Sequence, residues 1–149
     1  MAGHKDGSIV AFDAKTGAER KWKTKVGRGS IQGGVHFGMA AEGDRVYAPI
    51  NDMNDTRNGE FLDPELARPG VHAINASDGS VLWSHIQEDL CGTERPFCDP
   101  GVSAPLTALP DAVIAGHLDG HIRAYDGETG QVLWDYDTCL LYTSPSPRD

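Results

Sequence analysis

One order of events is written into this chain three times: an alternating strand, a glycine turn, a second strand and a closing tryptophan. It reads "HKDGSIVAFDAKTGAERKW" at residues 4–22, "GVHAINASDGSVLW" at 70–83 and "GHLDGHIRAYDGETGQVLW" at 116–134. Asp6-Gly7 and Asp119-Gly120 have the composition of tight hairpin turns, because glycine accepts the positive φ such turns need. "SIVAFD" and "HIRAYD" then alternate as half-buried strands do. Thr16-Gly17, Asp78-Gly79 and Thr129-Gly130 supply a second turn, and the strand after it ends at Trp22, Trp83 or Trp134. Each unit is too thin to bury its own apolar faces and has to stack on the next.

The other half of each unit precedes these hairpins. "GDRVYAPIND" and "PDAVIAGHLDG" read as turn, strand, turn, while "HFGMAA" and "VSAPLTA" each read as one further inner strand. A complete unit thus holds about four strands in roughly 40 residues, the size of a propeller blade. Trp22 and Trp83 lie farther apart than Trp83 and Trp134. The excess falls in the polar insertion "MNDTRNGEFLDPELARPG", where "DPELARP" reads as a single helical turn. The expected fold class is all-β, a partial β-propeller of about three blades over residues 1–138, with a small β-sandwich as the alternative. Such units do not close a ring of roughly four to eight blades, and the text begins inside a unit, so the chain reads as a fragment. Residues 139–149, "CLLYTSPSPRD", leave the repeat and read as a disordered tail of non-native character, outside any functional argument.

Composition narrows the classes further. The formal net charge is −9 and 39% of residues are hydrophobic, which suits a soluble globular protein. No apolar run reaches membrane-spanning length, and the basic patch expected of a nucleic-acid binder is missing. Neither CxxC nor CxxCH occurs, so no zinc ribbon or haem attachment site is expected in this sequence. Cys91 and Cys98 end the segment "CGTERPFC". A disulfide between them would close a short loop and point to an oxidising compartment; two reduced thiols are the other reading. "MAGHKDGSIV" lacks the apolar core of a signal peptide. Residues 52–63 invite an EF-hand reading but carry Arg57 where the loop needs glycine, which leaves a looser calcium loop or a solvated one. "GRGSIQGG" opens no helix and is not a dinucleotide loop. His72, His85, His117 and His121 have no metal-ligand spacing and are given no role.

At "AINASDGSVLW" and "AYDGETGQVLW" the sequence resembles the tryptophan-docking repeat of the quinoprotein alcohol dehydrogenases, Ala-x-Asp-x-x-x-Gly-x-x-x-Trp. Ala124, Asp126, Gly130 and Trp134 match fully. Asn75 replaces the aspartate in the second unit, and Trp22 comes one residue late in the first. "GGVHFGMAAEGDRVYAPIND" and "CDPGVSAPLTALPDAVIAGHLDGHIRAYD" resemble the polyvinyl-alcohol dehydrogenase branch of that family. The resemblance implies an eight-bladed propeller whose tryptophans staple neighbouring blades. It further implies a periplasmic or secreted enzyme that uses pyrroloquinoline quinone with bound calcium, oxidises an alcohol and passes electrons to cytochrome c. A haem c would belong to a part of the protein beyond this sequence.

The resemblance also assigns residues. Phe37 occupies the position of the aromatic ring beneath the cofactor; an ordinary core phenylalanine is the other reading. His36, next in the strand, would then face the opposite way as a structural histidine. Asn51 takes the place of a calcium-ligating asparagine, with Asp52 as a second choice, although Asn and Asp in "NDMND" also suit a plain turn. The catalytic base falls in "SHIQEDLCGTERPFCDPG" and is assigned to Asp99, with Glu88 and Asp89 as competitors. Asp99-Pro100-Gly101 can equally be only a turn. The docking repeat occurs as well in non-catalytic propellers such as outer-membrane assembly lipoproteins. A scaffold or binding module is therefore the alternative function, and fold alone does not separate the two.

Overall fold

The computed structural model describes residues 1–18, 20–29, 33–53, 63–92, 95 and 98–139. These form eleven strands: β1 (Ala2–Gly3), β2 (Ser8–Phe12), β3 (Arg20–Lys25), β4 (Ala40–Glu42), β5 (Arg45–Ile50), β6 (Gly70–Asn75), β7 (Val81–Ile86), β8 (Thr107–Leu109), β9 (Ala112–Gly116), β10 (His121–Asp126) and β11 (Val132–Asp137). They pair in sequence order as antiparallel meanders: β1-β2-β3, then β4-β5-β6-β7, then β8-β9-β10-β11. The architecture is all-β, a partial β-propeller of three successive blades. Pro64–Leu66, within "DPELARP", is a 3-10 turn capped by the Asp63 side chain. Residues 54–62, which carry most of the EF-hand reading and Arg57, lie outside the described residues, as do 140–149 of the tail.

The expected turns form where the sequence puts glycine. Gly17, Gly79 and Gly130 have φ of 65°, 79° and 72°, and each donates its N–H to the carbonyl of residue 13, 75 or 126. The first side chain of each turn accepts from the backbone behind it. Asp13 Oδ1 takes the N–H of Lys15 and Thr16, Asp126 Oδ1 those of Glu128 and Thr129, and Asn75 Oδ1 that of Ser77. The turn needs one side-chain oxygen, so an amide at 75 serves as well as a carboxylate.

The motif alanine sits directly opposite the tryptophan in all three blades: Ala11↔Trp22, Ala73↔Trp83 and Ala124↔Trp134. A bulge beside each pair leaves one residue over, Lys21, Leu82 or Leu133. The late arrival of Trp22 is absorbed in the turn between Phe12 and Arg20, so its register is intact.

The core lies between the blades. Trp83 joins Tyr47, Val71, Val113 and Tyr125 in one buried cluster, and Trp22 packs against a second built on Ile9, Val35, Ile50 and Ile74. Trp22 Nε1 donates to the Ala76 carbonyl at 3.1 Å, and Trp83 Nε1 to that of Gly127 at 3.0 Å. Each indole lies on the turn glycine of the next blade. A Cβ at Gly79 would come within 2.6 Å of Trp22 Cδ2, and one at Gly130 within 2.5 Å of Trp83 Cε3. Only glycine lets the ring approach this closely.

The inner strands differ from the expectation. "HFGMAA" and "VSAPLTA" are not continuous strands. Val35 bridges Ile50 and Ala40 pairs with Tyr47, so residues 36–39 face only 48–49. The next blade repeats this: Val102 bridges His117 and Thr107 pairs with Ile114, so 103–106 face only 115–116. Bulges of this size push chain out of the ladder and re-aim its side chains.

Candidate functional site

The candidate residues gather at the end of the sheets where these bulges lie. Phe37 sits at the crest of the first bulge with φ of 65°, a left-handed conformation that bulky residues rarely adopt. Its ring is 63% exposed, so it is no core phenylalanine. Strand alternation does not hold here, because the chain has left the ladder. The rings of His36 and Phe37 lie 4.1 Å apart and tilted instead of facing opposite ways. His36 Nδ1 pairs with Ser103 Oγ at 2.9 Å and so ties the bulge of one blade to that of the next. The Leu106 N–H to Gly38 carbonyl bond, 3.0 Å, does the same. Burial, and then Lys5, push the His36 pKa below its ordinary value.

Asn51 follows β5 and is buried, with its N–H donated to the Gly34 carbonyl at 3.0 Å. Gly101 lies against it: a Cβ there would meet Asn51 Oδ1 and the Asn51 carbonyl at 2.3 Å. Asp99 is half-buried, and its Oδ1 accepts the Gly101 N–H at 2.9 Å. Gly101 thus lies against Asn51 and donates its N–H to Asp99, two residues before it. The turn expected at Asp99-Pro100-Gly101 is present, held by the same carboxylate that was assigned as a base. Of its competitors, Glu88 is exposed, and Asp89 is also exposed while accepting the Cys91 N–H at 2.8 Å. Cys91 and Cys98 form a disulfide with Cα atoms 5.5 Å apart, which fixes the backbone on the N-terminal side of Asp99.

Asp52, the second-choice metal ligand, is fully committed elsewhere. It is buried, with φ of 44°. Its Oδ1 accepts the N–H groups of Gly29 and Gly34 at 2.9 and 3.0 Å, and its Oδ2 those of Arg28 and Arg68 at 2.6 and 3.0 Å. Four backbone donors saturate the carboxylate, so this residue organises the loops around it. No group of three or more His, Cys, Asp or Glu side chains converges on a possible metal position among the described residues. Of the residues assigned to a metal, Asn51 presents a buried side-chain amide oxygen. The exposed Phe37 ring does suit a planar group stacked upon it.

The histidines without an assigned role are structural. His72 is buried between Ser84 Oγ and the Arg68 carbonyl, each 2.9 Å from a ring nitrogen. His117 donates Nδ1–H to the Pro100 carbonyl at 2.9 Å and accepts from the Tyr125 hydroxyl at Nε2, 2.7 Å. Burial pushes its pKa down to about 4, opposed by the Pro100 bond and helped by the Arg123 charge. Burial pushes the Tyr125 hydroxyl up. Beside them Arg123 is clamped by Asp119 at 2.8 and 3.1 Å and by Asp135 at 3.0 Å. Sequence reasoning passed over this cluster. The available signal was an arginine at an inward position of "HIRAYD", where only a paired charge is tolerated.

A pH dependence follows from His117. The unfolded chain takes up the proton near pH 6.5, while the folded ring resists it to about pH 4. Its contribution is therefore complete above pH 6.5 and lost as pH falls toward 4, about 3 kcal/mol by linkage. His36 and His72 are shifted down by burial and act with the same sign. Denaturant melts at pH 7 and pH 4.5 should show the loss, and His117→Gln should flatten it. An equal loss in that variant would show that His117 is not its source.

Comparison with known proteins bears on the fold and the family. A family model described as outer membrane protein assembly factor BamB matches residues 5–144. The chain is 37% identical over 139 residues to a polyvinylalcohol dehydrogenase of Pseudomonas sp, an alignment that covers 93% of this chain and 20% of that protein. It is 30% identical over 149 residues to the outer membrane protein assembly factor BamB of Burkholderia pseudomallei (strain K96243), covering 87% and 37%. The crystal structure of BamB from Moraxella catarrhalis superimposes with a TM-score of 0.60 at 22% identity, over 89% of this chain and 32% of that one. The chain thus spans about a fifth of the length of the dehydrogenase it matches.

Proposed function

The chain belongs to the repeat-propeller family described as outer membrane protein assembly factor BamB, and from that premise we propose that it supplies three blades of a quinoprotein alcohol dehydrogenase of the polyvinyl-alcohol type. The observation that carries this reading is the exposed, left-handed Phe37 on its bulge, at the sheet end where Asn51 and Asp99 also lie. Strained backbone of this kind persists where surrounding structure enforces it, and it clusters at functional sites. The 37% identity to a polyvinylalcohol dehydrogenase over nearly the whole chain supports the same assignment.

In this reading Phe37 is the platform for pyrroloquinoline quinone, which accepts two electrons from the alcohol when bound. His36 and Ser103 prop the platform from below. Asp99 removes the alcohol proton, its backbone held by the disulfide and its carboxylate oriented by the Gly101 N–H. Calcium, if the complete enzyme uses it, takes its carboxylate ligands from outside the described residues, with Asn51 contributing one amide oxygen. Electrons pass to a cytochrome c, and the setting is periplasmic, in keeping with the disulfide. No described helix is long and apolar enough to cross a membrane.

A scaffold is the second reading, favoured by the BamB match and by the lack of a converging metal-ligand group among the described residues. The test uses the complete protein that contains this chain, supplied with the quinone and calcium. Alcohol-dependent dye reduction is expected. Asp99→Asn should lower its rate by roughly 10²-fold or more while quinone binding, read by absorbance, stays. A complete protein that binds no quinone would establish the scaffold instead.

A further inference from the structure

One peptide group joins Asp99 to a buried histidine. The Pro100 carbonyl accepts Nδ1–H of His117 at 2.9 Å, and the Gly101 N–H of the same peptide donates to Asp99 Oδ1 at 2.9 Å. The group is planar and trans, so its carbonyl and its N–H point in opposite directions. Fixing the carbonyl therefore fixes the N–H, and an occupied carbonyl makes that N–H a stronger donor. The turn is anchored on the same strand end. Val102 bridges His117, and the Leu118 N–H bonds the Gly101 carbonyl at 2.9 Å. Behind the ring, the Tyr125 hydroxyl lies 2.7 Å from His117 Nε2. The Pro100 carbonyl can only accept, so Nδ1 carries the ring proton and Nε2 accepts from the tyrosine.

Packing does not require this pair. Strand register places His117 and Tyr125 where the preceding blade has Ile50 and Ile74, both fully buried. Two isoleucines fill that space without a polar atom, whereas a buried imidazole and phenol have to be matched in their hydrogen bonds. The first blade has His4 at this place but Phe12 where the hydroxyl would be. Of the three blades, only the one that follows the Asp99 turn carries both members.

We propose that His117, locked by Tyr125, is a positioning residue that aims the Asp99 carboxylate through the peptide between Pro100 and Gly101. The inference rests on Asp99 as the base of the alcohol dehydrogenase proposed above. His117 itself exchanges no proton with the substrate; it acts through the turn.

The complete protein, supplied with the quinone and calcium, is assayed for alcohol-dependent dye reduction beside its Asp99→Asn variant. His117→Leu removes the donor to Pro100 and should lower kcat by about tenfold or more with KM nearly unchanged. His117→Asn puts an amide N–H near the place of Nδ1 and should recover most of that loss. Tyr125→Phe frees the ring tautomer and should lower kcat about threefold; it carries the test alone if the leucine variant does not fold. Arg123→Met loosens the buried ion pair beside these rings without touching the turn, and should keep the parental kcat. Hydrogen exchange over residues 99–102 in the quinone-free protein is the second readout, and the Gly101 N–H should exchange about tenfold faster in His117→Leu. Parental kcat in the His117→Leu and Tyr125→Phe variants, or unchanged exchange at Gly101, overturns the positioning role and leaves Asp99 as the base. Equal kcat losses in His117→Leu and Arg123→Met overturn it too, since general loosening would explain both. A parent that oxidises no alcohol, or an Asp99→Asn variant of full activity, overturns the base assignment and this inference with it.

Discussion

Asp52→Ala should destabilise this chain by about 4 kcal/mol or more, the largest effect expected of any single substitution here. The side chain is buried, and its carboxylate receives four backbone N–H groups from three separate stretches, at 28–29, 34 and 68. Truncation leaves those donors without their acceptor, and each buried donor so abandoned costs about 1–3 kcal/mol. The φ of 44° adds strain for alanine that asparagine largely avoids. Asp52→Asn, which keeps one oxygen acceptor, should therefore lose about half as much. Urea denaturation of the three proteins reads both values. A loss in the alanine variant below about 1 kcal/mol would mean that the loops hold their shape without the carboxylate.

Arg123→Met comes second, with an expected loss of about 4 kcal/mol. Both Arg123 and Asp119 are buried, and their bidentate pair is joined by Asp135 at the partly exposed edge. Asp119 also caps its own turn by accepting the His121 N–H at 3.0 Å. Methionine fills the space of the arginine stem but strands a carboxylate out of water. Asp119→Asn in the same chain removes that stranded charge while keeping the cap, so the double variant should recover a large part of the loss. A double-mutant cycle separates the pair from its surroundings. Additive losses in the two variants would show that the ion pair contributes little beyond its separate parts.

The two residues also mark where sequence reasoning succeeds and where it stops. Turns and tryptophan registers were legible because their causes are local. Gly79 and Gly130 have positive φ, Asp13 and Asp126 cap the backbone two residues on, and the motif alanine faces its tryptophan across one hairpin. The shifted Trp22 was legible as an anomaly, and only the structure located its extra residue in the turn after Phe12. The loop-organising role of Asp52 was not legible because its partners lie 16 to 24 residues away in segments of no regular structure. Phe37 was placed on an alternating strand because "HFGMAA" has the composition of one. Its departure from the ladder depends on pairing with β5, which holds Val35 and Ala40 in register and expels what lies between. The Cys91–Cys98 pairing was one of two open readings from spacing, and the structure joins them.

The paired bulges carry a consequence for how such a protein diversifies. Phe37 and Ala104 hold corresponding places in neighbouring blades, one bulky and bare, the other small and close enough to Gly116 that a Cβ there would stand 3.5 Å from its methyl group. Neither residue belongs to a ladder pair, so exchanging one side chain for another at this rim leaves every strand register untouched. Selection can thus refit the mouth of the ring one blade at a time, while the walls that hold it are inherited unchanged.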